Sequence, residues 1–411
     1  MSSPADAWSP LMPALLLTSA NFDAPERIAE DLTLPQGAFS PTVGLFFCDS
    51  QAPAEEAIAL VQKNTPCPII GGTSLTLPFS EDREEEDIAA SLLLLQKENM
   101  RFARAVSEPL DPARHAEQMT ALFTACRDDL GCAPALVLLF LPLMPGLPMD
   151  DFVRDVFDLA GPTPVFGGAV TNDLLSTTAA VFADGKAMRD RMVMAMFAGG
   201  IDPVFAVGAS VTTMTDYAPT VTRSQGSTIF EVDGSPFCDY LRGLGIPPED
   251  RINGVDALMQ YGPTPADVIR PDRPDDGVPE IRCISYTRVD EGSAVFSGPM
   301  PEGSRLKMSV ISREDVEHSA RHCMDVLKSR MRQKEAEGRC FDVVLCVSCI
   351  ARYFALIGCE HCERTILHEE RPAGPALAGF YGFSEIAPTL ALDDGRPLNR
   401  SHSASLIMCA L

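Results

Sequence analysis

The stretch PTPVFGGAVTND, residues 162–173, decides the fold because it recurs. A second copy reads PCPIIGGTS at residues 66–74, and a looser third reads PALAGFYGFSEIAP at residues 375–388. Each copy lies about one helix length beyond an apolar run. Before residues 66–74 come residues 43–47 and the helix-like PAEEAIALVQK; before residues 162–173, residues 136–141 and the amphipathic residues 149–159; before residues 375–388, residues 343–347 and a helix-like segment at 359–368. A further apolar run follows each copy, at residues 88–95, 192–197 and 405–411. Self-similarity of this kind marks one supersecondary unit, strand, helix, strand, glycine turn, strand, used several times. The predicted fold class is α/β, with layered mixed sheets built from that unit. Residues 136–141 and 343–347 are apolar throughout, without alternation, which predicts central strands buried on both faces.

Paired glycines at a strand end mark a positive φ or a close approach by backbone or ligand. Gly71-Gly72 and Gly167-Gly168 therefore have two readings, a turn or packing device on one side and the rim of a pocket on the other. The polar residues that follow, Thr73-Ser74 and Thr171-Asn172-Asp173, favour the pocket, since hydroxyl and amide groups beside backbone N–H groups suit a small polar ligand. No GK[ST] follows and no GxGxxG spacing is present, so no nucleotide or other cofactor is expected.

The 411 residues exceed an ordinary single domain, and the composition, 46% hydrophobic and 22% charged, supports packed cores. A net charge of −24 repels phosphate backbones and anionic lipid, so neither nucleic acid nor a membrane surface is an expected partner. Acidic runs such as EDREEED (81–87) and PDRPDDG (271–277) read as solvated loops. The longest apolar stretch is short and broken by prolines, and no basic residue precedes the N-terminal LMPALLL, so neither a membrane span nor a signal peptide is expected. Thirteen cysteines, mostly inside apolar runs, suit free thiols in a reducing, cytoplasmic compartment.

Helical spacing of Met119, Leu122, Phe123, Cys126 and Leu130 predicts a helix between the first two units. From Phe205 the texture becomes alternating and turn-rich; FAVGASVTTM and STIFEVDGSPF read as β-hairpins, and 245–279 as a Pro-rich loop or linker. IRCISYTRVDEGSAVFSGPMPEG offers two strands about a glycine turn. Ser312, three residues before Asp315, caps a helix whose stripe is Val316, Ala320, Cys323, Met324, Leu327 and Met331.

Two clusters bear on chemistry. CVSCIARYFALIGCEHC holds Cys346, Cys349, Cys359 and Cys362 around His361, which raises a zinc or iron-sulfur site. Against it, the first pair lies in a strand where residues three apart point to opposite faces, and no metal site is expected. A Cys349 nucleophile with His361 or His402 matches no catalytic signature. The second cluster is polar: Arg352, Glu363, Tyr381, Glu385 and residues 399–402, including Asn399 and His402. Arg352 with Glu385 reads either as a structural ion pair or as a ligand site for a carboxylate and an amine.

These residues resemble the FIST (F-box and intracellular signal transduction) family, over roughly residues 15–411. The likeness lies in IIGGTS, in PVFGGAVTND followed by AAVFADG, in APTVTRSQGSTIFEVDGSPFCDYL, and in EGSAVFSGPMPEGSRLKM, SCIAR, GFYGFSEIAP and NRSH. The resemblance implies a FIST N-terminal domain at 1–235 and a C-terminal domain at 236–411. It also implies an intracellular sensory module for a small ligand such as an amino acid, signalling here through a separate output protein. Two positions depart from the family pattern: His402-Ser403-Ala404-Ser405 where His-Asn-x-Thr is expected, and Ala351 where a glycine precedes the arginine. The resulting expectation is a sensor that binds a small polar metabolite without transforming it. Its site would comprise Gly71, Gly72, Thr73, Ser74, Gly167, Gly168, Asn172, Cys349, Arg352, Tyr381, Glu385, Asn399 and His402. The alternatives are a hydrolase or transferase with Cys349 or the Thr73-Ser74 pair as nucleophile, and a scaffold that binds only proteins.

Overall fold

The computed structural model describes residues 14–35, 40–76, 88–97, 99–144, 149–172, 179–271, 276–359, 361–391 and 395–411. The EDREEED run, most of PDRPDDG and Asp173 lie outside the described residues. The described residues form three sheets. The first holds β1 (Ala14–Ser19), β2 (Val43–Asp49), β3 (Ile69–Ser74), β4 (Ala90–Leu95), β8 (Val181–Ala183) and β9 (Lys186–Met188), in the order β1-β4-β2-β3-β8-β9. The second holds β5 (Arg101–Val106), β6 (Leu136–Leu141), β7 (Val165–Val170), β10 (Val193–Ala198), β11 (Val204–Gly208), β20 (Val343–Cys349), β21 (Ala376–Leu390), β22 (Pro397–His402) and β23 (Leu406–Ala410). Its order is β11-β23-β20-β21-β7-β6-β10-β5, with β22 on the far half of β21.

The repeated unit is larger than its phrase. In each copy a strand pairs antiparallel with the last strand of the unit, which pairs antiparallel with a second strand, which pairs parallel with the glycine-bearing third. The copies are β1-β4-β2-β3, β5-β10-β6-β7 and β11-β23-β20-β21. The helices α1 (Pro25–Asp31), α3 (His115–Leu130) and α7 (Arg313–Ala336) join first strand to second, while α2 (Ala54–Asn64), α4 (Met149–Ala160) and the pair α8 (Ile350–Ala355) and α9 (Cys362–Glu370) join second to third. The second and third copies meet where β7 and β21 pair antiparallel. Strands β6 and β20 are buried at every residue inside this sheet, as their unbroken apolar sequence predicts.

The first two sheets face each other across a common core in which Phe47, Phe140 and Phe380, one from each copy, stand 5.2–6.1 Å apart by ring centroid. Burying a phenylalanine contributes about 2–3 kcal/mol. The helices cover the outer faces, α1 and α2 on the first sheet and α3, α4, α7 and α9 on the second. Ser312 and Asp315 form the predicted capping box of α7, and all six residues of its apolar stripe are buried.

The glycines do not lie in turns. Gly71-Gly72 sit inside β3 and Gly167-Gly168 inside β7, opposite Phe46 and Leu139 of the parallel neighbours at Gly71 and Gly167. Gly71 has φ 148° and Gly167 φ 142°; a Cβ would fall 1.9 Å from the Phe46 carbonyl oxygen and 2.0 Å from that of Leu139. The same clash in two copies makes close strand approach a property of the unit. Gly167→Ala should therefore lower stability by about 3 kcal/mol or more; a urea melt showing a loss below about 0.5 kcal/mol would contradict it.

A third sheet carries β12 (Thr212–Thr213), β13 (Val221–Gln225), β14 (Thr228–Val232), β15 (Ser235–Pro236), β16 (Pro265–Ile269), β17 (Ile281–Arg288), β18 (Ser293–Phe296) and β19 (Arg305–Val310), around a core of its own that includes Phe237 and Leu241 of α5 (Phe237–Gly243). STIFEVDGSPF is the expected hairpin, and β17 and β18 pair about Gly292. FAVGASVTTM is no hairpin: β11 borders β23, and β12 pairs with β19. The linker reading of 245–279 also fails, because this segment holds a 3-10 turn (Pro248–Arg251), α6 (Gly254–Tyr261) and β16. The sequence boundary at 235/236 passes through β15, and the second and third sheets draw strands from both sides of it. No helix among the described residues is long and apolar enough to cross a membrane.

Candidate functional site

A cavity of about 360 Å³ opens where the parallel pairs β6–β7 and β20–β21 end and β17 and α6 cross them. Ligands of α/β proteins commonly sit beyond the carboxyl ends of such strands. Leu143, Met144 and Asn172 follow β6 and β7; Cys349, Ile350 and Ala351 pass from β20 into α8; Cys283 and Ile284 come from β17, and Val255 and Leu258 from α6. The walls are chiefly apolar. Polar atoms enter through Asn172, Arg251, Thr264, Ser285, Ser297 and Ser403, and the Ser297 and Ser403 hydroxyls hydrogen-bond each other at 3.1 Å.

Beneath this floor lies Glu385, fully buried on β21. Its Oε2 accepts from the Ser405 N–H at 3.3 Å, while Oε1 meets no donor among the described residues. Burial pushes its pKa up to about 8; Cys349 and the Ser405 N–H lower it only in part. Burial likewise raises the Cys349 thiol well above its ordinary value and the Cys283 thiol to about 12. The floor is thus a set of neutral, protonated groups.

Arg352 lies elsewhere and is buried among its own partners. Its Nε and one terminal nitrogen donate to Glu363 Oε1 at 2.8 and 2.6 Å, and the remaining donors reach Ser319 Oγ at 2.7 Å and the Val316 carbonyl at 3.1 Å. Ser348 and Tyr381 hydroxyls complete the shell by donating to Glu363 Oε2. The ion pair is therefore Arg352–Glu363, not Arg352–Glu385.

Other expected residues converge from distant segments but hold strands together. Ser74 Oγ accepts the Tyr381 N–H at 2.9 Å, Thr171 Oγ1 donates to the Tyr381 carbonyl at 2.6 Å, and Thr73 Oγ1 accepts the Ala180 N–H at 3.0 Å. Gly168 pairs with Glu385 across β7 and β21. Asn399 accepts from Val165 N–H and donates to the Gly161 and Thr163 carbonyls, fastening the turn before β7. His402 hydrogen-bonds the Ala387 carbonyl and lines a separate, smaller cleft with Arg282. Of the residues expected from sequence, Asn172 and Cys349 line the cavity, with Glu385 directly below.

Sequence reasoning misses Arg251, Cys283 and Ser403. Arg251 sits in the segment that reads as a linker, and Cys283 reads as a small hydrophobe; alternation along β17 is the available signal, since Arg282 and Cys283 face different clefts. Cys346 and Cys349 do diverge, into separate apolar clusters. Cys359 and Cys362 form a disulfide, so not every cysteine is a free thiol. Among the described residues no three His, Cys, Asp or Glu side chains are placed to hold a metal ion.

The sequence pattern of the FIST N domain matches residues 42–235, and that of the FIST C domain residues 254–388. The chain belongs to the FIST family. FIST domains are in general sensor domains of signal transduction. No curated protein matches this FIST chain. Among solved structures it is similar to a cyanuric acid hydrolase from A. caulinodans (9% identity, TM-score 0.29, covering 48% of this chain and 71% of that one). It is also similar to a cyanuric acid hydrolase described as an evolutionary innovation by structural concatenation (9% identity, TM-score 0.32, covering 97% and 98%). At these scores neither likeness bears on the chemistry.

Proposed function

We propose that the protein is a non-catalytic sensor that binds a small polar metabolite in the cavity between its FIST halves and signals through a separate output protein in the cytoplasm. The observation that carries this reading is the cavity itself: apolar walls, a few convergent polar groups and contributions from both halves are the usual make-up of a small-molecule site. A ligand there would touch Asn172 after β7 together with β20, β17 and α6, so binding would stiffen the junction between the second and third sheets.

The hydrolase or transferase alternative gains nothing from the geometry. Cys349 is held as a neutral thiol, the weak form for attack. Thr73 and Ser74 spend their hydroxyls on Ala180, Thr76 and Tyr381. A thermal-shift screen of small metabolites tests the reading: a ligand at a hundredfold excess over its Kd should add about 2.7 kcal/mol of stability and be recovered chemically unchanged. Conversion of the bound compound would establish an enzyme instead.

A further inference from the structure

We infer that the cavity takes a small organic monocarboxylate that carries no α-ammonium group, its carboxylate held by Arg251; this rests on the sensory reading of the same cavity. Arg251 is 8% exposed and lines the cavity wall. Its Nε donates to Thr264 Oγ1 at 3.3 Å and its Nη1 to the Pro247 carbonyl at 3.0 Å, and the guanidinium lies over the Tyr261 ring at 5.2 Å. These contacts fix the plane of the fork. Among the described residues Nη2 has no hydrogen-bond partner; the neighbouring Asp250 acts on the guanidinium by its charge, beside Tyr261, but no carboxylate oxygen comes within ion-pairing distance of it.

That absence is informative in this chain. With 57 acidic residues against 33 basic ones, an arginine meets an acid easily. A buried guanidinium with no directly paired anion is costly, and the charge of Asp250 offsets that only from a distance; a planar fork with one edge open is the form that recognises a carboxylate. The structural explanation is that Arg251 only ties the turn Pro248–Arg251 to Thr264 and so needs no anion.

The rest of the lining decides what accompanies the carboxylate. No Asp or Glu side chain is found among the described residues that line the cavity, and the nearest floor carboxyl, Glu385, is buried behind Cys349 in neutral form. A bound ammonium would be desolvated with no anion to meet it. Leu143, Met144, Val255, Leu258, Ile284 and Phe383 instead offer an apolar chamber for a hydrocarbon body.

The test is a thermal-shift and calorimetric comparison on the full chain with matched compounds: isocaproate and hydrocinnamate, their amino counterparts leucine and phenylalanine, and their amides. The two carboxylates should stabilise saturably, with leucine, phenylalanine and the amides at least about tenfold weaker. Arg251→Gln should abolish the carboxylate response, while Arg251→Lys, which keeps charge but loses the fork, should weaken it. If Arg251→Gln fails to fold, the Arg251→Lys arm still decides. Leucine or phenylalanine binding as tightly as its deaminated analogue overturns the inference, as does a carboxylate response unchanged in the Arg251 variants. If amino acids or amides bind and Leu258→Trp, which fills the cavity, removes that binding, the sensory reading stands and the carboxylate inference alone falls. If none of the six compounds binds, the carboxylate inference falls, and the broader metabolite screen judges the sensory reading separately.

Discussion

Replacing Arg352 by methionine should lower the stability of the folded protein by about 3–5 kcal/mol, because the change leaves Glu363 as a buried charge without its counter-ion. Side chains Arg352 and Glu363 are 1% and 0% exposed, and the guanidinium makes four hydrogen bonds, two of them to one carboxylate oxygen. The sequence alone leaves two readings of Arg352, a structural ion pair and a carboxylate site, and the second would give a folded variant that loses only its ligand. The double variant Arg352→Met with Glu363→Gln should recover most of the loss, since a neutral amide still accepts from Ser348 and Tyr381. Urea melts of both proteins check this. A single variant as stable as the parent would show that the network is not structural.

Glu385→Gln should stabilise the protein at alkaline pH. The folded carboxyl titrates at about 8, above the ordinary value near 4.3 of an unfolded chain. Between those values the native state holds a proton that the unfolded state has released, so the stability this group confers is full at acid pH and is lost as pH rises through 8. The amide of the variant does not titrate. The stability difference between variant and parent should be near zero at about pH 4 and grow to the order of 5 kcal/mol above pH 8. The groups felt by Glu385 are Cys349, the Ser405 N–H, Arg352 and Arg282, and none of them offsets its burial. A difference that stays flat across that range would remove the neutral-carboxyl account of the cavity floor.

Features that depend on neighbours in the chain are legible in the sequence. The capping box of Ser312 and Asp315 and the stripe along α7 involve residues within a few turns of each other, so spacing reveals them. The buried strands β6 and β20 are legible for a similar reason: a run with no polar position has no solvent face to offer. The repeat is legible only in its second half. In each copy the first strand and helix carry no shared phrase, and β5 is half exposed, so its pairing with β10 leaves little trace in sequence.

What escapes the sequence depends on where side chains point after distant segments meet. Gly71 and Gly167 look like turn residues until the neighbouring parallel strand supplies the carbonyl that forbids a Cβ. Arg352 has Glu363 and Glu385 within reach along the chain, and the packing of α8 against α7 and α9 turns it toward the first. Arg251 reads as one charge in a proline-rich stretch; only the crossing of β17 and α6 over the strand ends brings it to a cavity. Sequence by itself determined the alternation of strand and helix, the buried strands and the family, because local periodicity and order are written along the chain. Tertiary structure alone decided which polar groups are consumed by packing and which face the cavity, because hydrogen-bond satisfaction depends on atoms tens to hundreds of residues apart.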